Sequence, residues 1–147
     1  VTDIIAERIA AADTHMLRHR VLRPHQTIAE MDYPGDHDAT TAHFGCDVDG
    51  ELVAIGSIYR EARLDGDPGG WRIRGMATAE GRRGTGLGES VLAACIGHAR
   101  SHGATEVWCN ARRGARAFYE RAGFVTVGDE FEPPGIGPHF VMTLREN

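Results

Sequence analysis

The run RRGTGLGES, Arg82 to Ser90, places glycines at 84, 86 and 88 between two arginines and a segment of helical period. Residues without a Cβ let an incoming group approach backbone amides closely, and a helix N-terminus offers unpaired N–H groups with about half a positive charge. The chemistry this suits is the binding of an anion such as a phosphate. Two phosphate loops fail on their residues. A Walker A loop needs a lysine after its last glycine, and all 16 basic residues of this chain are arginine. The dinucleotide fingerprint G-x-G-x-x-G, counted from Gly84 and Gly86, meets Glu89 in its third slot. What fits is R-x-x-G-x-G, running Arg83, Gly84, Thr85, Gly86, Leu87, Gly88.

Other reactive side chains fit less specific patterns. Arg72 and Arg74 alternate along a strand and so share a face, where they suit a substrate carboxylate or a pair of surface acids. Arg18, Arg20 and Arg23 on the first helix are open to two readings, lining the acceptor side or a solvated surface. His43 with Asp32, Asp36 and Asp38 could attract a cationic amine, but the polar setting favours a solvated loop. His98 and His102 stand i, i+4 on a helix with no third ligand near in sequence, so solvated histidines near the helix C-terminus are the better expectation. Cys46, Cys95 and Cys109 fit no zinc spacing and are expected reduced and buried.

The elements that must hold these residues follow from period and punctuation. TDIIAERIA is extended in character, and Asp13 or Thr14 can cap a helix through HMLRHRVLR that Pro24 stops. From Pro24 to His43 the chain reads as loop with a turn at YPGD and at most one short helix. HFGCDVDGELVAIGSIYR is a hairpin about Asp49-Gly50. After the loop EARLDGDPGG, WRIRGMAT is a strand leading into the glycine run. Leu87, Val91, Leu92, Cys95, Ile96 and Ala99 mark a helix that Gly103 ends. ATEVWCN then reads as strand, ARRGARAFYERAG as helix, and FVTVGDEF and PHFVMTLR as strands. The order β-α-(α)-β-β-β-α-β-α-β-β predicts a mixed α/β or α+β fold with parallel and antiparallel pairing, in one domain over residues 1–147.

Upstream RGMATAEGRRGTG and downstream NARRGARAFYERAGF together resemble the two signatures of the GNAT N-acetyltransferase superfamily. The second match runs through Asn110, Ala115, Phe118, Tyr119, Gly123 and Phe124. The resemblance covers about residues 44–145. The ending DEFEPPGIGPHFVM is similar to the ElaA/YjcF-like branch, with Gly137 inserted between Ile136 and Pro138.

The resemblance implies a GNAT acyl-CoA fold whose central sheet splays between WRIRGMAT and ATEVWCN, with acetyl-CoA as cofactor. Met76, Ala77 and Thr78 would offer backbone groups to the pantetheine arm, and Arg83, Gly84, Thr85, Gly86, Leu87 and Gly88 would hold the pyrophosphate. Asn110, Ala115, Phe118 and Tyr119 complete the implied cofactor contacts. Tyr119 matches the family's acid, since a phenol of pKa about 10 stays protonated at neutral pH and can donate to a thiolate. Packing between helix and sheet is its other reading. Many members place a glutamate base on the strand before the loop, where this chain has Arg72 and Arg74. Candidate bases are therefore His139 and Glu132, flanking a loop that commonly borders the acceptor, with a water relay as a further route. An acetyl-Cys109 intermediate is conceivable, but direct transfer is the family's mechanism.

These readings imply an acetyl-CoA-dependent N-acetyltransferase acting on an amine of a small molecule or protein. Two other classes stay open: an acyl-CoA-binding or regulatory module with little activity, and an unrelated phosphate binder. With 41% hydrophobic and 25% charged residues the composition is globular, and a net charge of −5 disfavours nucleic-acid binding. No apolar run is long enough for a bilayer, and VTDIIAERIA lacks the features of a secretion signal, so no membrane association and a cytoplasmic location are expected. Homodimerisation is common in the superfamily, though no stripe of this sequence demands it.

Overall fold

The computed structural model describes residues 5–145. Seven strands form one sheet: β1 (Glu7–Ile9), β2 (Ala42–Val48), β3 (Glu51–Tyr59), β4 (Gly70–Thr78), β5 (Glu106–Arg112), β6 (Val125–Phe131) and β7 (His139–Arg145). Their spatial order is β1-β2-β3-β4-β5-β7-β6. All neighbours are antiparallel except β4 and β5, which run parallel through the crossover helix α2 (Leu87–Ser101). The mixed α/β architecture expected from the element order is thus present. Thr2, Asp3 and Ile4 of the expected first extended stretch lie outside the described residues.

The hairpin of β2 and β3 turns at Asp49-Gly50, as its sequence predicts. Helix α2 buries Leu87, Val91, Leu92, Cys95, Ile96 and Ala99 against β2, β3 and β4, the face set by the helical period. Cys46, Cys95 and Cys109 are free and buried in this core. Two boundaries differ from the expectation. The first helical segment, α1, starts earlier as a 3-10 turn (Ala11–Thr14), passes through one α-helical turn (His15–Leu17) and ends as a π-type turn (Arg18–Leu22). Asp13 serves inside it, its carboxylate accepting the Ala10 N–H at 3.0 Å. Downstream, β5 continues to Arg112 because residues 106–112 pair in full with β7, so α3 is short (Arg116–Arg121), preceded by a 3-10 turn (Arg113–Ala115).

The Pro24 to His43 stretch contains one 3-10 turn (Ile28–Met31), whose Thr27 and Glu30 cap each other. Its polar residues are only partly solvated. Asp32 and Asp38 are exposed, whereas Asp36 and His43 are buried. The expectation of a solvated loop fails for these two because Arg18, also buried, reaches Asp36 from α1, and His43 joins the same cluster through Ser57 and Asp36 O. Arg18 Nη1 donates to Asp36 at 2.6 Å, and its Nη2 donates to Ser57 Oγ at 3.0 Å and Tyr59 Oη at 3.1 Å. His43 Nε2–H donates to Asp36 O at 3.0 Å, leaving Nδ1 to accept the Ser57 hydroxyl at 2.6 Å. His98 is also more than a solvated residue: half-buried, it bonds Thr40 O at 3.0 Å and packs edge-on against Trp71.

Candidate active site

β4 and β5 are in register only from Gly70↔Glu106 to Ile73↔Cys109. Beyond that point the strands part. β5 is held by β7 as far as Arg112↔His139, while β4 remains with β3 through Ala54↔Thr78 and Ile55↔Ala77. The β3–β4 register shifts between Ile55 and Ser57, so Gly75 and Met76 have no paired residue opposite. Gly75 takes φ +67°, and a Cβ there would stand 3.2 Å from Arg18 Nε, so the bulge calls for glycine in both backbone and space. A glycine inside a strand pattern is the signal that could have revealed this bulge in the sequence.

The opening widens into a cleft of about 790 Å³. Met76, Ala77 and Thr78 line one wall. Arg83, Gly84, Gly86, Leu87 and Gly88 form one end, and Asn110, Ala115, Phe118 and Tyr119 lie on the other wall. Thr85 is not part of the lining; its hydroxyl turns back to Arg82 O at 2.6 Å and closes the loop. Gly84 and Gly86 have φ of +77° and +85°, the left-handed region in which L side chains are strained. Nothing but Glu89 Oε2, at 4.0 Å, lies near a Cβ built on Gly86, and nothing within 4 Å of one on Gly84, so the loop keeps its backbone open. Gly88 is needed for approach instead, since a Cβ there would lie 3.1 Å from Phe118.

Tyr119 is buried beneath this cleft, edge-on to Phe118 and Phe124. Burial, then the nearby Cys109 and Cys95 thiols, push its phenol well above the ordinary 10.0 and keep it protonated. Burial likewise raises the Cys109 thiol to about 12. His139 lines the cleft and is buried; its Nδ1–H donates to Gly137 O at 2.7 Å, because a carbonyl can only accept, and Nε2 is left as an acceptor. Glu132 is exposed and outside the lining, so the structure separates the two candidate bases.

Tyr33 and Arg112, which no motif of the sequence marks as candidates, also line the cleft. Arg72 and Arg74 do share a face: the Arg72 guanidinium lies over Trp108 (5.0 Å) and bonds Glu61, while that of Arg74 lies over Tyr33 (4.5 Å). His15, Asp32 and Asp36 approach within 4.8 Å of one another, but both Asp36 oxygens already accept from Arg18 and one also from Tyr59. That arrangement leaves little lone-pair capacity for a metal.

A profile of the acetyltransferase (GNAT) domain matches residues 7–145, and the chain belongs to that family. It is an acyltransferase of GNAT type. YitI of Bacillus subtilis (strain 168), named as an uncharacterized N-acetyltransferase, is 39% identical over 140 residues, covering 93% of this chain and 94% of the relative. Among solved structures, an aminoglycoside 6'-N-acetyltransferase complexed with coenzyme A superimposes with TM-score 0.76 at 14% identity, covering 96% of each chain. Escherichia coli ElaA superimposes with TM-score 0.69 at 23% identity, covering 98% of this chain and 100% of that one. These two likenesses show the acyl-CoA N-acyltransferase fold.

Proposed function

We propose that this chain moves the acetyl group of acetyl-CoA directly to a primary amine of a small molecule or protein. One observation carries the reading: the parted β4 and β5 strands open between a positive-φ Arg/Gly loop and a buried, protonated phenol. When bound, acetyl-CoA supplies an acetyl group activated as a thioester. The loop from Arg83 to Gly88 fits its pyrophosphate, with bare amides at the start of α2 and an exposed arginine beside them. Met76, Ala77 and Thr78 offer an unpaired strand edge to the pantetheine amides, and Asn110, Ala115 and Phe118 face them across the opening. The Met76 N–H, placed by the bulge at Gly75, polarises the acetyl carbonyl.

Tyr119 Oη donates the proton that the departing sulfur takes up. His139 Nε2 accepts the proton from the amine, directly or through water. Glu132 is left without a part in this scheme. Direct transfer is favoured over an acetyl-enzyme because the Cys109 thiol is buried and held protonated, and a thiol is a poor nucleophile compared with its thiolate. Free, buried cysteines are in keeping with a cytoplasmic setting. Among the described residues no helix is long and apolar enough to cross a membrane.

A second reading, an acyl-CoA-binding module with little activity, is favoured by Arg72 and Arg74 on β4, where many members have glutamate. Both readings predict that acetyl-CoA raises the melting temperature of the protein, since a ligand of the native state stabilises it by mass action. A panel of amines then separates them. Acceptor-dependent release of coenzyme A thiol supports transfer. Binding without any such release supports the module, and no thermal shift at all overturns both.

A further inference from the structure

The end of the cleft away from the glycine loop is lined by Arg23, Arg72, Arg74 and Arg112, with Tyr33 among them. Among the described residues the one carboxylate of the lining, Glu89, stands away from them, in the first turn of α2 beside the glycine loop. Arg112 is fixed by a hydrogen bond from Nη2 to Leu22 O at 2.7 Å, and Arg72 by Glu61 at 3.0 Å. Arg74 makes no ion pair among the described residues; the Tyr33 ring supports it on one face at 4.5 Å, and Arg18 lies 4.0 Å from the same ring. Arg23 Nε and Arg72 Nε are buried with no hydrogen-bond partner among the described residues.

Burial holds both Arg74 and Arg112 below the ordinary 12.5, and the neighbouring charges of Arg72 and Arg23, respectively, add to the effect. Guanidinium groups remain charged through shifts of this kind, so the charges repel each other across the cleft. In a chain of net charge −5 this is a local concentration of positive charge, not the general character of the protein. His139, the cross-strand partner of Arg112, stands at its edge.

We propose that the acceptor is an amine that also carries a carboxylate or phosphate, which Arg74 grips with Arg23 and Arg112 while the amine faces His139. The proposal rests on the acetyltransferase reading and gives its acceptor a chemical class. Planar guanidinium forks match the oxygens of either anion, and the same charges disfavour polycationic amines.

The test is acetyl transfer to matched pairs: each proteinogenic L-amino acid against its carboxamide, and O-phosphoethanolamine against ethanolamine. The best acceptor bearing the anion is expected to exceed its partner without it by ~10-fold or more in kcat/KM, the scale of a charge-assisted hydrogen bond. Arg74→Gln should shrink that ratio by about tenfold, mainly through KM, with Arg74→Lys restoring part of it. Which pair shows the preference separates carboxylate from phosphate. Equal or better use of the partners that lack the anionic group, or a ratio unmoved by Arg74→Gln, overturns the proposal. If acetyl-CoA binds but no pair turns over, the broader amine panel decides the transfer reading, and the anion site is judged by melting temperature with coenzyme A saturating. A rise from the anionic probes in the wild type but not in Arg74→Gln upholds the site, and no rise overturns it.

Discussion

On the loop side of the β4–β5 opening, the shape comes from seven consecutive residues, Arg82 to Gly88, whose glycines set the backbone directly. On the arginine side it comes from side chains scattered along the chain. Arg18 of α1, Asp36 of the loop, His43 of β2, and Ser57 and Tyr59 of β3 are joined by buried hydrogen bonds beneath Tyr33. The first side is local and exposed, and the second is long-range and buried. A backbone loop of fixed form suits a part of the site that is the same for every family member. A surface assembled from distant side chains can change by single substitutions, which suits the part that selects an acceptor.

The contrast makes the arginine side the costlier one to damage. Asp36 accepts from two Arg18 nitrogens, from Tyr59 Oη and from the Tyr33 N–H. Burial opposes its charge, but these hydrogen bonds outweigh it and hold the carboxyl below the ordinary 3.8. Asp36→Ala strands the Arg18 guanidinium, and the expected loss is about 3–5 kcal/mol in urea unfolding. Retention of wild-type stability would mean that the cluster does not support this side of the cleft.

The loop side should respond in binding, with little change in fold. At Gly86, φ +85° costs a β-branched residue about 1–2 kcal/mol, so the loop would relax away from the form proposed to hold the pyrophosphate. Gly86→Val should weaken acetyl-CoA binding by about tenfold or more in a calorimetric titration while the circular dichroism spectrum is kept. If it unfolds the protein instead, the loop is not the independent unit described above.

A smaller effect comes from pH. Burial lowers the pKa of His43 below the ordinary 6.5, so the folded protein keeps it neutral where the unfolded chain takes up a proton. The sign follows: stability is lost as the pH falls through the unfolded value near 6.5 toward the folded one, by at most ~1.4 kcal/mol per unit for this group. His98 shifts in the same direction and adds to the slope. Thermal melts between neutral pH and about pH 5.5 should show a shallower slope for His43→Gln than for the wild type. Equal slopes would show that His43 takes no part.

The same contrast explains what could be read from the sequence. The hairpin at Asp49-Gly50, the face of α2 and the glycine loop depend on neighbours a few residues apart, and all three agree with the structure. Most residues carried over from the family signatures also line one cleft, because both signatures sit at the ends of the two strands that part. Asp36 and His43 were misread because their partners lie 18 and 14 residues away and no local pattern marks a buried ion pair. Glu106 is similar: it looks like one polar residue at a strand start, yet it is wholly buried between Arg63 and Thr143. The π-type turn that ends α1 and begins at the buried Arg18 has no signature in its residues.

Both sides of the opening serve acetyl transfer only if the Tyr119 phenol that lines the cleft completes it. That role is tested most directly by acceptor-dependent release of coenzyme A thiol in the wild type and in Tyr119→Phe, each with its acetyl-CoA affinity measured separately. The account predicts turnover that depends on the amine, a kcat lower by about a hundredfold in the variant, and unchanged donor affinity. Full turnover in Tyr119→Phe across all acceptors would contradict it.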